Sequence, residues 1–95
     1  MYVIHKFKVP KIGEPFTLEG IDKIVRFGIQ GSEYFVWAVV LENTTLVRAR
    51  RYVVIPTGQR YDYNWEHAYT IITQSGLVWH LLKERKVSEH LFPLY

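Results

Sequence analysis

Tyr34-Phe35-Val36-Trp37-Ala38-Val39-Val40-Leu41 and Thr45-Leu46-Val47-Arg48-Ala49-Arg50-Arg51-Tyr52-Val53-Val54-Ile55 together decide the fold class of this chain. The first run is apolar at every position, so both of its alternating faces are apolar. That is the pattern of a strand buried on both sides. The second run alternates. Val47, Ala49, Val53 and Ile55 fall on one side, and Arg48, Arg50 and Tyr52 on the other. This is the pattern of a strand with one wet face, and the wet face carries arginines. Glu42-Asn43-Thr44-Thr45 reads as the turn between them.

Outward from this centre the same period of two recurs. In Tyr2 to Val9, residues Val3, His5, Phe7 and Val9 share one face, and Tyr2, Ile4, Lys6 and Lys8 the other. Pro10 to Pro15 is a connection, because proline cannot donate to a ladder. Phe16-Thr17-Leu18 is a short strand ended by Gly20. Asp22 to Gln30 follows, and Gly28 within it marks a bulge or a close backbone approach. Gly31-Ser32 turns the chain into the central strand. After the long polar and aromatic loop Pro56 to Trp65, His67 to Gln74 and Leu77 to Lys83 form a last hairpin across Ser75-Gly76. Leu77 to Lys86 also admits a helix, since Leu77, Leu81 and Leu82 fit helical spacing.

The expected fold is therefore all-β: one small sandwich or partly closed barrel of six to seven mostly antiparallel strands. Val36, Trp37, Val39, Val53, Ile71 and Trp79 are its expected core. Ninety-five residues make a single domain, 1–95, with residues 85–95 as a C-terminal tail. A chain this short needs a dense core. Its 48% apolar and 16% aromatic content supplies one.

Composition also narrows function. There is no cysteine, which removes disulfides, thiolate metal ligands and thiol nucleophiles. No apolar run reaches the roughly 18 residues of a membrane-spanning helix. Met1 to Lys6 lacks the apolar core of a signal peptide, so a cytoplasmic protein with no membrane partner is expected. The net charge of +3 is compatible with anionic partners.

No catalytic signature is present. The four histidines, His5, His67, His80 and His90, stand in no metal-binding spacing. His67 and His80 could meet across the last hairpin with Glu66 nearby, short of a full metal shell. Ser32, Ser75 and Ser88 lie in turns or in the tail, without a nucleophile elbow. Pro56-Thr57-Gly58-Gln59 offers free backbone amides after a strand but is not a phosphate-binding loop. The chain reads as a non-enzyme without cofactor or metal.

The basic residues form the candidate site. Lys6 and Lys8 share a face of the first strand, Arg48 and Arg50 a face of the arginine strand, and Arg60 leads into Tyr61, Tyr63 and Trp65. Guanidinium groups pair with phosphate and aromatic faces stack on bases. An anionic nucleotide or nucleic acid is the expected ligand. The plain alternative is a solvated sheet face whose charges discourage edge association.

Val3-Ile4-His5-Lys6-Phe7, Val36-Trp37-Ala38-Val39-Val40, the Thr57-Gly58 turn and Val78-Trp79-His80-Leu81-Leu82 together resemble a family of small bacteriophage- and prophage-encoded proteins of unknown function. The resemblance runs from Val3 to Glu84 and leaves the tail from Arg85 outside. The family's turn reads Gly-Thr-Gly-His, where this chain has Pro56-Thr57-Gly58-Gln59. The resemblance implies a phage accessory protein in the bacterial host cytoplasm. It brings no known chemistry, so the absence of a catalytic signature and the basic residues lead to the expected role: a binder acting on host defence through an anionic ligand, with a protein-blocking inhibitor of a host factor or a virion assembly protein as alternatives. A homodimer would cover the sheet edges.

Overall fold

The computed structural model describes residues 1–42 and 46–91, and among them the period-two runs become eight strands. In chain order they are β1 (Tyr2–Lys8), β2 (Phe16–Glu19), β3 (Ile21–Gln30), β4 (Glu33–Leu41), β5 (Leu46–Pro56), β6 (Trp65–Ile72), β7 (Val78–Glu84) and β8 (Ser88–Leu91). Seven of these are the expected runs. The helical alternative over Leu77–Lys86 is overturned, because β7 pairs with β5 on one edge and β6 on the other. Those two ladders satisfy its backbone groups more completely than a single short helical turn could. β8 is an additional strand, inside the segment read as a tail. The expected turn at residues 43–45 and the apolar end at residues 92–95 lie outside the described residues.

The strands form two antiparallel sheets, β1-β4-β3 and β2-β5-β7-β6, with β8 also paired to β5. The sheets do not close into a barrel, and the architecture is a sandwich. β5 organises the second sheet. β2 pairs with its Ala49–Tyr52 stretch along one edge, while β7 and β8 follow one another along the other. The chain between Lys83 and Ser88 is longer than the β5 stretch it passes, so it bows away from the ladder there.

Gly20 joins the two sheets. Its N–H donates to the Arg48 carbonyl of β5 at 2.8 Å, and its carbonyl accepts from Leu41 N–H of β4 at 3.2 Å. The chain thus leaves β2 in one sheet and enters β3 in the other within one residue. That turn requires φ of +73°, which only glycine adopts without strain.

The main core lies between the sheets. Phe27 of β3 and Val36 and Ala38 of β4 meet Phe16, Leu18, Tyr52, Val54 and Leu81 of the other sheet. Val36, Ala38, Val54 and Leu81 have no exposed surface at all. Burying such side chains stabilises by roughly 1.5–3 kcal/mol each.

Two expectations about faces are corrected. Only one face of β4 enters this core. Trp37 and Val39 lie on the opposite face, half-buried, with Phe35. The three-stranded sheet has one covered face, and long side chains roof the other: Lys6 Nζ sits 4.6 Å above the Phe35 ring. Of the remaining expected core residues, Val36 is central, Ile71 and Trp79 pack against the core, and Val53 joins Ile55 and Leu82 in a second cluster beneath Trp65.

The second correction concerns β5. Tyr52, assigned to the wet face, is 3% exposed and sits in the inter-sheet core with Val54. β5 keeps an unbroken register, so Arg48 and Arg50 share that same inter-sheet face. Val53 and Ile55 face outward but are covered because the chain returns across them through Trp65. Neither a bulge nor a close backbone approach is found at Gly28: it pairs regularly with Phe35, and its near neighbours are the Arg26 and Trp37 side chains. The irregularities of β3 lie earlier, between Ile21 and Lys23 and between Ile24 and Arg26. Among the described residues, no helix is long and apolar enough to cross a membrane.

Candidate functional site

Arg48 and Arg50 precede Tyr52 on the inter-sheet face, so they project where the apolar core runs out. There the two sheets leave a cavity of about 340 Å³, open to solvent. Leu18, Ile21, Ile24 and Tyr52 form its apolar wall. Lys23 of β3, Arg48 and Arg50 of β5 and Lys83 of β7 bring four cations to it, against the single lining carboxylate of Asp22. Register explains the meeting. Leu18 stands opposite Arg50, and Lys83 opposite Tyr52.

The electrostatics of this mouth are uneven. Lys83 is paired with Glu66 at 3.3 Å, and Glu66 also accepts from Arg85 at 2.7 Å. Arg50 is half-buried, and its guanidinium makes no ion pair or hydrogen bond among the described residues. Burial pushes the Tyr52 hydroxyl above its ordinary pKa, while the neighbouring charge of Arg50 acts in the opposite direction.

The other candidates lie elsewhere. Lys6 and Lys8 are on the outer face of the three-stranded sheet, where Lys6 donates to Gln30 Oε1 at 2.7 Å and Lys8 pairs with Glu33 at 3.1 Å. Arg60, Tyr61 and Trp65 line a groove of about 510 Å³ on the outer face of the second sheet, floored by Val53, Ile55 and Leu82. Tyr63 does not line it and is 82% exposed. Seven of the eight expected ligand residues are therefore spread over three places, and Tyr63 stands outside all of them. The aromatic loop and the Arg48–Arg50 pair are on opposite faces of β5, so they do not form one patch.

Arg51, a residue the sequence reading left without a role, lies against Trp65 of that groove. Its Nε donates to Glu84 Oε2 at 2.9 Å, and its guanidinium lies 5.5 Å from the Trp65 ring centroid. The hydrogen bond that Arg51 donates to Glu84, and then the charge of that carboxylate, raise the Arg51 pKa. Lys23 and Lys83 were also missed. Each sits on a strand distant in sequence from β5, and no local pattern links them to Arg50.

His67 and His80 do meet, with ring centroids 6.0 Å apart. Thr70 Oγ1 lies between them, 2.6 Å from His67 Nε2 and 2.8 Å from His80 Nδ1. Among the described residues, no group of three metal-ligating side chains converges here or elsewhere.

Fold and site together define a small two-sheet antiparallel sandwich with a basic opening between its sheets. The chain belongs to the family described as Domain of unknown function (DUF7352), whose model matches residues 1–91. That span continues through β8, beyond the Glu84 limit of the motif resemblance. No curated protein and no solved structure significantly matches the chain.

Proposed function

We propose that this protein is a non-enzymatic binder of an anionic ligand, a nucleotide signal or a nucleic acid, held at the basic mouth between the sheets. The observation that carries this reading is Arg50. Half-buried charges are ordinarily paired, because removing an ion from water without a partner is costly. Among the described residues Arg50 has no ion-pair or hydrogen-bond partner, and Lys23, Arg48 and Lys83 share its cavity. A phosphate oxygen there would receive charge-assisted hydrogen bonds from a preorganised fork. The resemblance to bacteriophage-encoded proteins supports a phage accessory role in the host cytoplasm, acting on host defence by sequestering such a ligand.

The test is a titration with cyclic nucleotides, mononucleotides and short oligonucleotides at low and physiological salt. Binding should weaken as salt rises. Arg50→Gln should weaken it by about tenfold or more, since a hydrogen bond to a charged group contributes roughly 1.5–3 kcal/mol. Arg50 faces Leu18 and Tyr52, so the melting temperature of each variant must be measured alongside. Lys23→Glu, at an exposed position of β3, supplies an independent variant. Failure of every anion to bind at low salt, or equal binding by both variants, overturns the reading.

One observation favours a second reading, contact with a host protein. The outer face of the three-stranded sheet exposes Tyr2, Ile4 and Leu41, cross-strand neighbours that flank the half-buried Val39 in one apolar strip. Contact through that strip would persist at high salt and be lost in Ile4→Glu, while Arg50→Gln would leave it intact.

A further inference from the structure

We propose that the outer face of the second sheet carries a second site, sharing only His67 with the lining of the inter-sheet mouth, for an uncharged, polyhydroxylated ring: a sugar, either free or as the ribose of a nucleoside. The site is built on four side chains from three parts of the chain. Thr57 Oγ1 lies 2.7 Å from His80 Nε2, His80 Nδ1 lies 2.8 Å from Thr70 Oγ1, and Thr70 Oγ1 lies 2.6 Å from His67 Nε2. The sheet register assembles them. Thr70 and His80 are cross-strand partners, and His80 also stands opposite Ile55, so the turn after β5 brings Thr57 to its second nitrogen. The register shift between His67 and Tyr69 carries His67 towards Thr70.

This chain of hydrogen bonds can run in either sense. A neutral imidazole has one donor and one acceptor nitrogen, and a hydroxyl is both donor and acceptor. In one sense Thr57 donates to His80, His80 to Thr70 and Thr70 to His67. The Thr57 oxygen is then left to accept from a ligand, and His67 Nδ1–H to donate. In the reverse sense the Thr57 proton is free and His67 Nδ1 accepts. Both senses keep all three bonds. The two ends thus present a donor and an acceptor that exchange together, which is the complement of ligand hydroxyls that each donate and accept.

The surroundings fit such a ring. His67, Thr70 and His80 line a cavity of about 370 Å³ whose floor is Ile55 and Leu82, with Gln59 and Tyr61 at its rim and the turn that carries Thr57 bordering it through Pro56 and Gly58. Gln59 and Tyr61 also border the adjoining groove, which adds Trp65. Apolar and aromatic surface suits the C–H face of a sugar, and the polar chain its edge. The four hydrogen-bonded side chains and the cavity they border include no carboxylate, lysine or arginine, so a charged ligand is not required there; Arg60 and Asp62 lie in the adjoining groove. A structural role explains less. All three bonds lie on the solvent-exposed surface, where water would satisfy each group, and ordering side chains there costs conformational entropy without burying a core.

Ligand-observed saturation-transfer NMR and calorimetry would test the site on the full chain. The probes are ribose, glucose, galactose, N-acetylglucosamine and the four ribonucleosides, at low and physiological salt. We expect saturable binding that is insensitive to salt and unchanged in Arg50→Gln. Thr70→Val keeps the branched shape but removes the bridging hydroxyl, and should weaken binding about tenfold or more. Thr57→Val, in the exposed turn, gives the same readout should Thr70→Val fail to fold. Binding of nucleosides alone identifies the ribose source, and binding of free sugars the other; either supports the site. Absence of binding by every probe overturns it, as does undiminished affinity in the threonine variants. Binding that falls with salt and disappears in Arg50→Gln also overturns it, since that pattern belongs to the inter-sheet mouth.

Discussion

Glycine-to-alanine replacement should have opposite signs at two positions of this fold. At Gly20 the backbone has φ of +73°, and an added Cβ would lie 3.5 Å from Val40 Cγ1, an ordinary contact. Space is therefore not the obstacle. The cost is conformational, roughly 1–2 kcal/mol for a non-glycine residue in the left-handed region. Relief of that strain would pull on the two hydrogen bonds by which Gly20 ties Arg48 to Leu41. At Gly28 the backbone is ordinary extended strand. An added Cβ would come within 3.2 Å of Arg26 Nε and 3.6 Å of Trp37 Cζ3. Arg26 is an exposed, flexible side chain that can move by a few tenths of an ångström, and the Trp37 contact is favourable. Alanine within a strand is about 0.5–1 kcal/mol better than glycine, so Gly28→Ala should be neutral to stabilising. Urea and thermal unfolding of the two variants measure the difference. About 4–8 °C of melting temperature per kcal/mol applies to a domain of this size. Gly20→Ala should lower the transition by about 4–16 °C, and Gly28→Ala should leave it unchanged or raise it. Equal shifts of the same sign would refute the assignment of Gly20 as the corner between sheets.

Two further predictions follow from burial. Leu81 has no exposed surface and stands opposite Val54 and Tyr69, so Leu81→Ala should destabilise by about 2–5 kcal/mol in urea unfolding, whereas Ile72→Ala, at a position 74% exposed on the neighbouring strand, should stay within about 0.5 kcal/mol. Comparable losses in both would show that β7 does not lie at the centre of the core. The raised Tyr52 pKa predicts an alkaline effect. Below about pH 10 the phenol is neutral in folded and unfolded chains, and its contribution is complete. Above that pH the unfolded chain ionises first, so stability is lost as pH rises towards the folded value. Tyr52→Phe should decline less steeply than wild type in thermal melts from about pH 9 to 11. Identical pH profiles would contradict the burial of Tyr52.

Much of this fold is local in origin. Period-two patterning and turn residues place seven strands near their observed bounds, because alternation reports directly that one face of a run differs from the other. β8 has no such signal: Ser88-Glu89-His90-Leu91 is short and mixed, and it becomes a strand by completing the ladder beside Leu46–Ala49. Which face of a strand is buried is also not a local property. The uniformly apolar run of β4 implied burial on both sides, yet Trp37 and Val39 look outward because a second sheet covers only one side of the first. The alternation of β5 separated Tyr52 from Val53 correctly and Val53 is buried as expected, but Tyr52, assigned to the wet face, is buried as well. Tyr52 enters the core because the opposing sheet lies on its side, and Val53 is covered by chain that returns through Trp65.

The site divides in the same way. The sequence by itself determined that this is a β domain rich in exposed cations, without thiol chemistry, and that Arg48 and Arg50 share a face, since strand geometry alone sets that relation. Tertiary structure decided that their face opens between the sheets, and that Lys23 and Lys83 join them there. It also decided that Arg60, Tyr61 and Trp65 belong to another surface, and that two threonines and two histidines from three parts of the chain form one hydrogen-bonded line. The physical reason is range. Side-chain alternation is imposed by neighbouring residues, whereas the partners of a cation or an imidazole are chosen by which strands pair and which sheets stack. Those choices depend on contacts between residues far apart in the chain.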